Sequence, residues 1–298
     1  MVKKDRKNFS GYGKYRNLSK SFITTHSFID VIAPCSVEDL EWNHMDQAHR
    51  SHIHNTYAKQ HRVYTSKTTA LSLTSWGRWP FILNVHDIYL EKGKFLQSIL
   101  IFGFIYLEIK NTISKLSDDE SNLKIEWEIS SHWIFKPAHF ILNRKLYKLN
   151  KRLQEEDFVI RKQRQNLRKN KFKFLSDPPN YVSSNLMSFC TIYPVIESEF
   201  TYDVNQISVN ERKIISVSNV NFILEKVSEN EILVWPGECP HQGASLIDNF
   251  EIDKHNKIKC PWHGLKIPPV KLSQSSGVVN QYSFIFKLDN NILSISNT

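Results

Sequence analysis

The chain has 298 residues, of which 41% are hydrophobic, and carries a formal net charge of +9. That length suits two domains of ordinary size, and the apolar content is enough to bury real cores, which excludes global disorder. Four cysteines in a chain this long exclude a disulfide scaffold.

The opening MVKKDRKNFSGYGKYRNLSK is basic and polar and lacks the apolar centre of a secretory signal, so residues 1–20 are expected to be a flexible arm of a cytoplasmic protein. Residues 22–33 read as a strand ending at Pro34. Ser36 to His54 reads as a helix, with Ser36 as the cap and Glu38 and Asp39 in the first turn. Between Val63 and Trp133, VYTSKTTALSLTSW, FILNVHDIYL, SILIFGFIYLEI and LKIEWEIS are rich in Val, Ile, Thr and aromatics and read as strands. The most apolar run, Phe95–Ile109, contains Gln97 and is too short for a membrane span, so it reads as a buried strand. One long helical pattern runs from Pro137 to about Lys171. This order predicts an α+β fold, an antiparallel sheet wrapped around a long C-terminal helix. A cavity would lie between them, with Trp76, Trp79, Phe81 and the 95–109 strand as candidate walls.

Leu175–Asn185, with two prolines and three serines, reads as a linker. After it, FCTIYPVI, KIISVSN, NFILEKV, EILVWPG, NKIKC, QYSFIFKL and ILSISN are short β segments, which makes residues 186–298 a small all-β domain. Lys and Arg are densest at the N-terminus and in Arg144–Lys173. Without helix-turn-helix or zinc-finger spacing, nucleic acid is not expected. The basic surface suits solubility or an acidic protein partner.

Two short stretches carry the chemistry. ECPHQG, Glu238–Gly243, and KCPWHG, Lys259–Gly264, give the spacing Cys239-x-His241, eighteen residues, Cys260-x-x-His263. Two sulfur and two nitrogen ligands on two loops can bind zinc or a 2Fe–2S cluster. Each loop holds one of each, which suits a cluster whose one iron takes two cysteines and whose other takes two histidines. Pro240 and Pro261 stiffen the loops, and Gly243 and Gly264 permit tight turns. With CPHQGASL and CPWHG, the segment resembles the Rieske family. Gln242, Gly243 and Ala244 in one loop and Pro261 and Trp262 in the other leave no place for the loop disulfide of respiratory Rieske proteins. The resemblance therefore points to the oxygenase and ferredoxin branch.

Four of the chain's twelve histidines, His44, His49, His52 and His54, lie in EWNHMDQAHRSHIHN. Two histidines and a carboxylate form the facial triad of non-haem iron sites. On a regular helix His49 and His52 share a face, whereas His49 and His54 stand about 140° apart, so helical geometry favours His52 unless the helix ends. The pattern Asn43-x-x-Asp46-x-x-His49-x-x-x-x-His54 resembles the catalytic domain of Rieske oxygenases. That resemblance implies His49 and His54 as ligands of a mononuclear Fe(II). It also implies Asp46 as the aspartate that bonds a ligand histidine on the electron path from a neighbouring subunit's cluster. On the long helix, Leu146, Leu149, Leu153, Ile160 and Leu167 trace a stripe with Asp157 in its gap. An ionised Asp there costs several kcal/mol unless it is paired or metal-bound. Glu156–Asp157 resembles the family's acidic pair, which implies Asp157 as third ligand, and the competing reading pairs Asp157 with Arg161 or Arg164.

The expected organisation is a flexible arm at 1–20, a helix-grip (START-like) catalytic domain at 21–174, a linker at 175–185 and a Rieske domain at 186–298. This reverses the family's usual domain order. The implied function is oxidation, by hydroxylation or demethylation, of a small, largely apolar substrate with O₂. The mononuclear Fe(II) on His49, His54 and Asp157 would be fed by a 2Fe–2S cluster on Cys239, His241, Cys260 and His263. The chain has no dinucleotide fingerprint and no plant-type ferredoxin pattern, so electrons would come from a separate reductase or ferredoxin. The family implies a homo-oligomer, a ring of three. The alternatives are a Rieske electron-transfer module fused to an apolar-ligand-binding domain, and structural zinc in an interaction protein.

Overall fold

The computed structural model describes residues 21–54, 58–76, 82–187, 190–196, 198–248 and 251–298. The basic arm, Trp79, Phe81 and the side chain of Trp76 lie outside them. The chain begins with β1 (Phe22–Ala33), α1 (Val37–Met45) and the single turn α2 (Arg50–Ile53). Six strands follow: β2 (Ala58–Thr65), β3 (Thr69–Trp76), β4 (Ile82–Glu91), β5 (Lys94–Ile101), β6 (Ile105–Lys115) and β7 (Ser121–His132). The 34-residue helix α3 (Lys136–Lys169) closes this half.

The seven strands form one antiparallel sheet in the order β1-β7-β6-β5-β4-β3-β2. Burial alternates at every residue of β7, so Leu123, Ile125, Trp127 and Ile129 all face the core. The sheet grips α3, and the core between them includes Leu107, Ile125, Trp127 and Leu146. The expected helix-grip arrangement is the one found.

Three expectations at the level of single elements need correction. Phe95–Ile109 is not one strand but the hairpin of β5 and β6, which turns at Phe102, a residue with φ of 53°. An apolar residue at the turn hid the turn from the sequence pattern. VYTSKTTALSLTSW is likewise a hairpin of β2 and β3. Its turn is set by Ser66, whose Oγ accepts from the N–H groups of Thr68 and Thr69 at 3.3 and 3.0 Å. The helix expected over Ser36–His54 begins as foreseen, with Ser36 Oγ accepting from Asp39 N, but it stops at Met45.

The stop is imposed by the stretch expected to be a linker. Between β8 (Lys173–Phe174) and β9 (Ile192–Tyr193), which pair with one another, the chain forms the short helix α4 (Tyr181–Ser184). Asn185, at the end of α4, is buried. Its Nδ2 donates to Met45 O at 2.7 Å, and its Oδ1 accepts from Gln47 N and Ala48 N at 2.9 and 3.1 Å. Those are the backbone groups that a continuing helix would pair internally. The stretch is therefore a packed strap across the break.

The C-terminal half comprises β10 (Phe200–Asp203), β11 (Arg212–Val217), β12 (Val220–Ser228), β13 (Glu231–Pro236), β14 (Ile258–Lys259), β15 (Lys266–Ile267), β16 (Val270–Ser273), β17 (Val278–Gln281), β18 (Phe284–Asp289) and β19 (Ile292–Asn297). Two four-stranded sheets, β10-β19-β18-β17 and β11-β12-β13-β16, pack through Phe222, whose ring meets Phe284 edge-on at 5.0 Å and Phe286 at 6.0 Å. The core of this half continues into the first half: Trp42, Ile160 and Leu167 belong to the same buried cluster as Trp235, Leu246 and Trp262. No helix among the described residues is long and apolar enough to cross a membrane.

Candidate metal centres

Because α1 stops at Met45, the next turn can be redirected. His49 becomes the residue that opens α2, and His54 the residue that closes it. The two histidines thus bracket one helical turn, and their rings approach edge-on with centroids 5.6 Å apart. Asp157 reaches them from α3: its Oδ1 lies 3.6 Å from His49 Nε2 and 3.2 Å from His54 Nε2. All three residues are buried, and they can bring ligand atoms to within 4.8 Å of one another. His52 points elsewhere and is exposed.

The two oxygens of Asp157 have different surroundings, and the pairing with Arg161 accounts for one of them. Arg161 Nη2 donates to Oδ2 at 3.2 Å, while Oδ1 is buried and makes no hydrogen bond. Burial would raise the carboxyl pKa, but the two histidines and Arg161 hold it well below the usual range, so Asp157 is a carboxylate. Glu156, which the apolar stripe leaves at its margin, orients His54: its Oε2 lies 2.7 Å from His54 Nδ1. With Glu156 accepting at Nδ1, Nε2 is the ring nitrogen that His54 turns towards Asp157. Two imidazoles and one carboxylate with an orphaned buried oxygen form a donor set that a divalent iron fits.

The three groups lie in a cavity of about 160 Å³ between the sheet and α3. Gln97, Ile99, Leu107 and Ile109 line it, so the 95–109 segment does contribute walls, along with Val85 and Leu153. Amide groups of Asn43, Asn150 and Gln154 interrupt the apolar lining. His44 also faces the cavity, donating from Nδ1 to Leu40 O at 2.9 Å and stacking on Phe95 at 5.3 Å. Burial, Arg161 and Arg50 push its pKa down to about 3. The folded state therefore binds fewer protons than the unfolded state below the ordinary value of 6.5, and stability is lost as pH falls from there towards 3. The His44→Gln variant keeps a donor for Leu40 and does not titrate. Urea denaturation between pH 6.5 and 5 should show a shallower pH slope for it, by up to about 1.4 kcal/mol per pH unit. Equal slopes would exclude His44 from the acid response.

The second centre is built from two loops with one backbone plan. Cys239 N donates to Ala244 O at 2.7 Å and Gly243 N to Cys239 O at 2.8 Å. In the other loop Cys260 N donates to Leu265 O at 2.8 Å and Gly264 N to Cys260 O at 2.9 Å. Both glycines have positive φ, 88° and 66°, which side chains rarely adopt. They also permit close docking against the first half. A Cβ would come within 2.3 Å of Leu167 Cδ1 at Gly243, and within 2.8 Å of His52 Cε1 at Gly264.

The loops bring Cys239, His241, Cys260 and His263 together, all buried. The two histidine Nδ1 atoms face each other at 3.2 Å. The hydrogen bond from Cys239, with His263 beside it, holds the Cys260 thiol well below the ordinary range despite burial. The four cysteines are free thiols, so the loops carry no disulfide. Residues 199–270 match the family pattern of the Rieske 2Fe–2S domain. Residues 199–270 form a Rieske domain. Its identity implies a 2Fe–2S cluster, and the paired thiols and facing imidazoles of the two loops are the donor set that such a cluster takes.

Asp46 joins the Rieske domain to the other centre. It is fully buried, and its Oδ2 lies 2.7 Å from His263 Nε2 and 3.7 Å from His49 Nδ1. Burial opposes its charge, but His263 and His49 hold its pKa far below the usual value. In return, and against the effect of burial, Asp46 raises the pKa of His263 to about 10 and shares with Asp157 in raising that of His49. Both rings thus sit in fields that favour positive charge, proton or metal. Beyond Asp46, His241 Nε2 hydrogen-bonds the carbonyl of Leu186, the residue after the strap's Asn185.

No curated protein matches the chain. Among solved structures, it superimposes on truncated norcoclaurine synthase from Thalictrum flavum at 12% identity and a TM-score of 0.40, covering 47% of this chain and 96% of that one. It superimposes on dicamba monooxygenase bound to dicamba at 12% identity and a TM-score of 0.38, over 55% of this chain and 54% of that one. An aromatase/cyclase from Streptomyces sp. R1128 gives 12% identity and a TM-score of 0.31 over 36% and 68%.

Proposed function

We propose that the protein is a Rieske-type oxygenase that oxidises a small, largely apolar molecule in the cavity between the sheet and α3. The observation that carries this reading is Asp46, a buried carboxylate within 2.7 Å of a Rieske histidine and 3.7 Å of a histidine belonging to a second metal-competent triad. When bound, an Fe(II) on His49, His54 and Asp157 supplies O₂ activation, and a 2Fe–2S cluster on Cys239, His241, Cys260 and His263 supplies single electrons.

The chain's own residues prepare that chemistry. Glu156 fixes the tautomer of His54, and Arg161 holds one oxygen of Asp157 so that the other faces the histidines. Arg161 is itself anchored by Asn43 Oδ1 at 2.7 Å and Gln154 Oε1 at 2.7 Å. The apolar walls hold the substrate beside His49 and His54. A volume of about 160 Å³ admits a ligand of roughly single-ring size, and the amides of Asn43 and Asn150 offer it one polar anchor. A separate reductase or ferredoxin delivers the electrons.

Metal analysis tests the reading. The wild-type protein should hold about three irons per chain, and Asp157→Ala about two, with the visible spectrum of the cluster unchanged. Two irons in both proteins would leave a Rieske electron-transfer module fused to a ligand-binding domain. Substrate-dependent O₂ uptake across single-ring aromatic, terpenoid and quaternary-amine compounds would then identify the substrate.

A further inference from the structure

We infer that the electron path from the Rieske cluster to the mononuclear site is closed within one chain, so that a single protomer is a complete redox unit. This rests on the function proposed above. The family pattern places the donating cluster on a neighbouring subunit, whereas here one aspartate meets both histidines of the same polypeptide.

The geometry leaves little for a second chain to supply. His263, Asp46 and His49 are 3%, 0% and 2% exposed, so the path is sealed from solvent along its length. The histidine edge of the Rieske domain is occupied from several sides by its own chain. Leu167 packs on Gly243, His52 on Gly264, and Trp42 on Trp262 at 5.8 Å between ring centroids. Arg164 Nη1 bonds Gln242 Oε1 at 2.9 Å. These contacts belong to a hydrophobic core continuous between the two halves, so the docking is built as an interior and not as a loose encounter. A second catalytic domain could reach the histidine edge only by displacing the one already there.

The step moves one electron. A cluster on Cys239, His241, Cys260 and His263 would give up one electron, and O₂ at the site of His49, His54 and Asp157 would accept it. Asp46 keeps its charge, and no proton need leave the relay. A one-electron donor such as dithionite is the reductant, and O₂ is the final oxidant.

Mixed assemblies test this. Chains carrying Cys260→Ala, deficient in the cluster, are co-expressed with Asp157→Ala chains, deficient in the mononuclear iron, each with a different tag. His241→Ala serves as the cluster-deficient chain if the first variant does not fold. The readout is the visible and EPR signal of the reduced cluster after mixing with O₂ and substrate, followed by stopped flow. Wild type should reoxidise rapidly, at a rate independent of protein concentration. Doubly tagged assemblies should reoxidise no faster than Asp157→Ala alone. A rapid phase in the doubly tagged material would overturn the inference and leave the oxygenase reading intact. If no doubly tagged material forms because the chains are monomeric, rapid reoxidation of wild type supports the inference directly. Slow reoxidation of wild type itself would refute both.

Discussion

Asp46→Asn should leave iron content and the cluster spectrum unchanged while slowing cluster reoxidation by about 10–100-fold, the range seen when a group behind a metal ligand is lost. The carboxylate has two tasks. Its Oδ1 accepts from Ala48 N at 3.1 Å, and its Oδ2 faces the rings of His263 and His49. An amide can keep its oxygen towards the rings and turn its NH₂ towards Ala48, because Ala48 N has a second acceptor in Asn185 Oδ1 at 3.1 Å. The substitution therefore removes charge with little change in shape. Asp46→Ala is harsher: it strips the acceptor from the buried imidazole of His263 and the facing charge from His49, and should cost about 3–5 kcal/mol of stability as well. Stopped-flow reoxidation of the Asp46→Asn cluster at the wild-type rate would remove Asp46 from the route.

Arg164→Ala should cost about 3–5 kcal/mol of stability, seen as a fall in melting temperature on the order of 10 °C. The guanidinium is fully buried between two aromatic faces, 4.1 Å from the ring centre of Trp42 and 3.7 Å from that of Phe174. Its Nε donates to Asp39 Oδ1 at 3.1 Å, its Nη1 to Gln242 at 2.9 Å and its Nη2 to Ser176 Oγ at 2.7 Å. Burial lowers its pKa to about 10, which still leaves it charged at neutral pH. The side chain thus bolts α1, the strap and the first cluster loop to α3. Lysine has neither the flat face nor the forked donors, so Arg164→Lys should rescue little. Faster amide exchange in residues 239–243 should accompany the loss, because Gln242 sits beside His241. A full rescue by lysine would show that charge alone matters there.

Much of this was legible in the sequence, and what was not shares one cause. The cap at Ser36, the strand segments of both halves and the two cluster loops are local signals, read from residues close together in the chain. The break after Met45 is not local. It is made by Asn185, 140 residues away, in a stretch whose prolines and serines advertise a linker. On helical geometry alone His52 would outrank His54, and only the break turns His54 towards Asp157. The buried face of α3 was hidden differently. An apolar stripe was visible, but from Asn150 onward the helix also buries Gln154, Asp157, Arg161, Arg164 and Gln165. Polar residues are mostly exposed unless partnered, and these partners come from α1 and its cap, the turn of His49 and His54, the β6–β7 turn, the strap and a Rieske loop. Glu156 had only its place beside Asp157 to suggest a role.

The strap also governs spacing. Asn185 fixes the turn that carries His49 and His54, and the carbonyl of Leu186 receives His241. These neighbours in sequence are held about 3.8 Å apart by covalent geometry. The turn that carries His49 and His54 and the Rieske loop of His241 are therefore indexed to adjacent links of one inextensible chain, like two jaws of a gauge locked to the same bar. Transfer of an electron between centres falls off exponentially with separation, so thermal breathing between two domains would ordinarily spread its rate widely. On the proposed function, a spacer one peptide long would convert that soft coordinate into a rigid one, and the rate would be a property of bond lengths more than of domain motion.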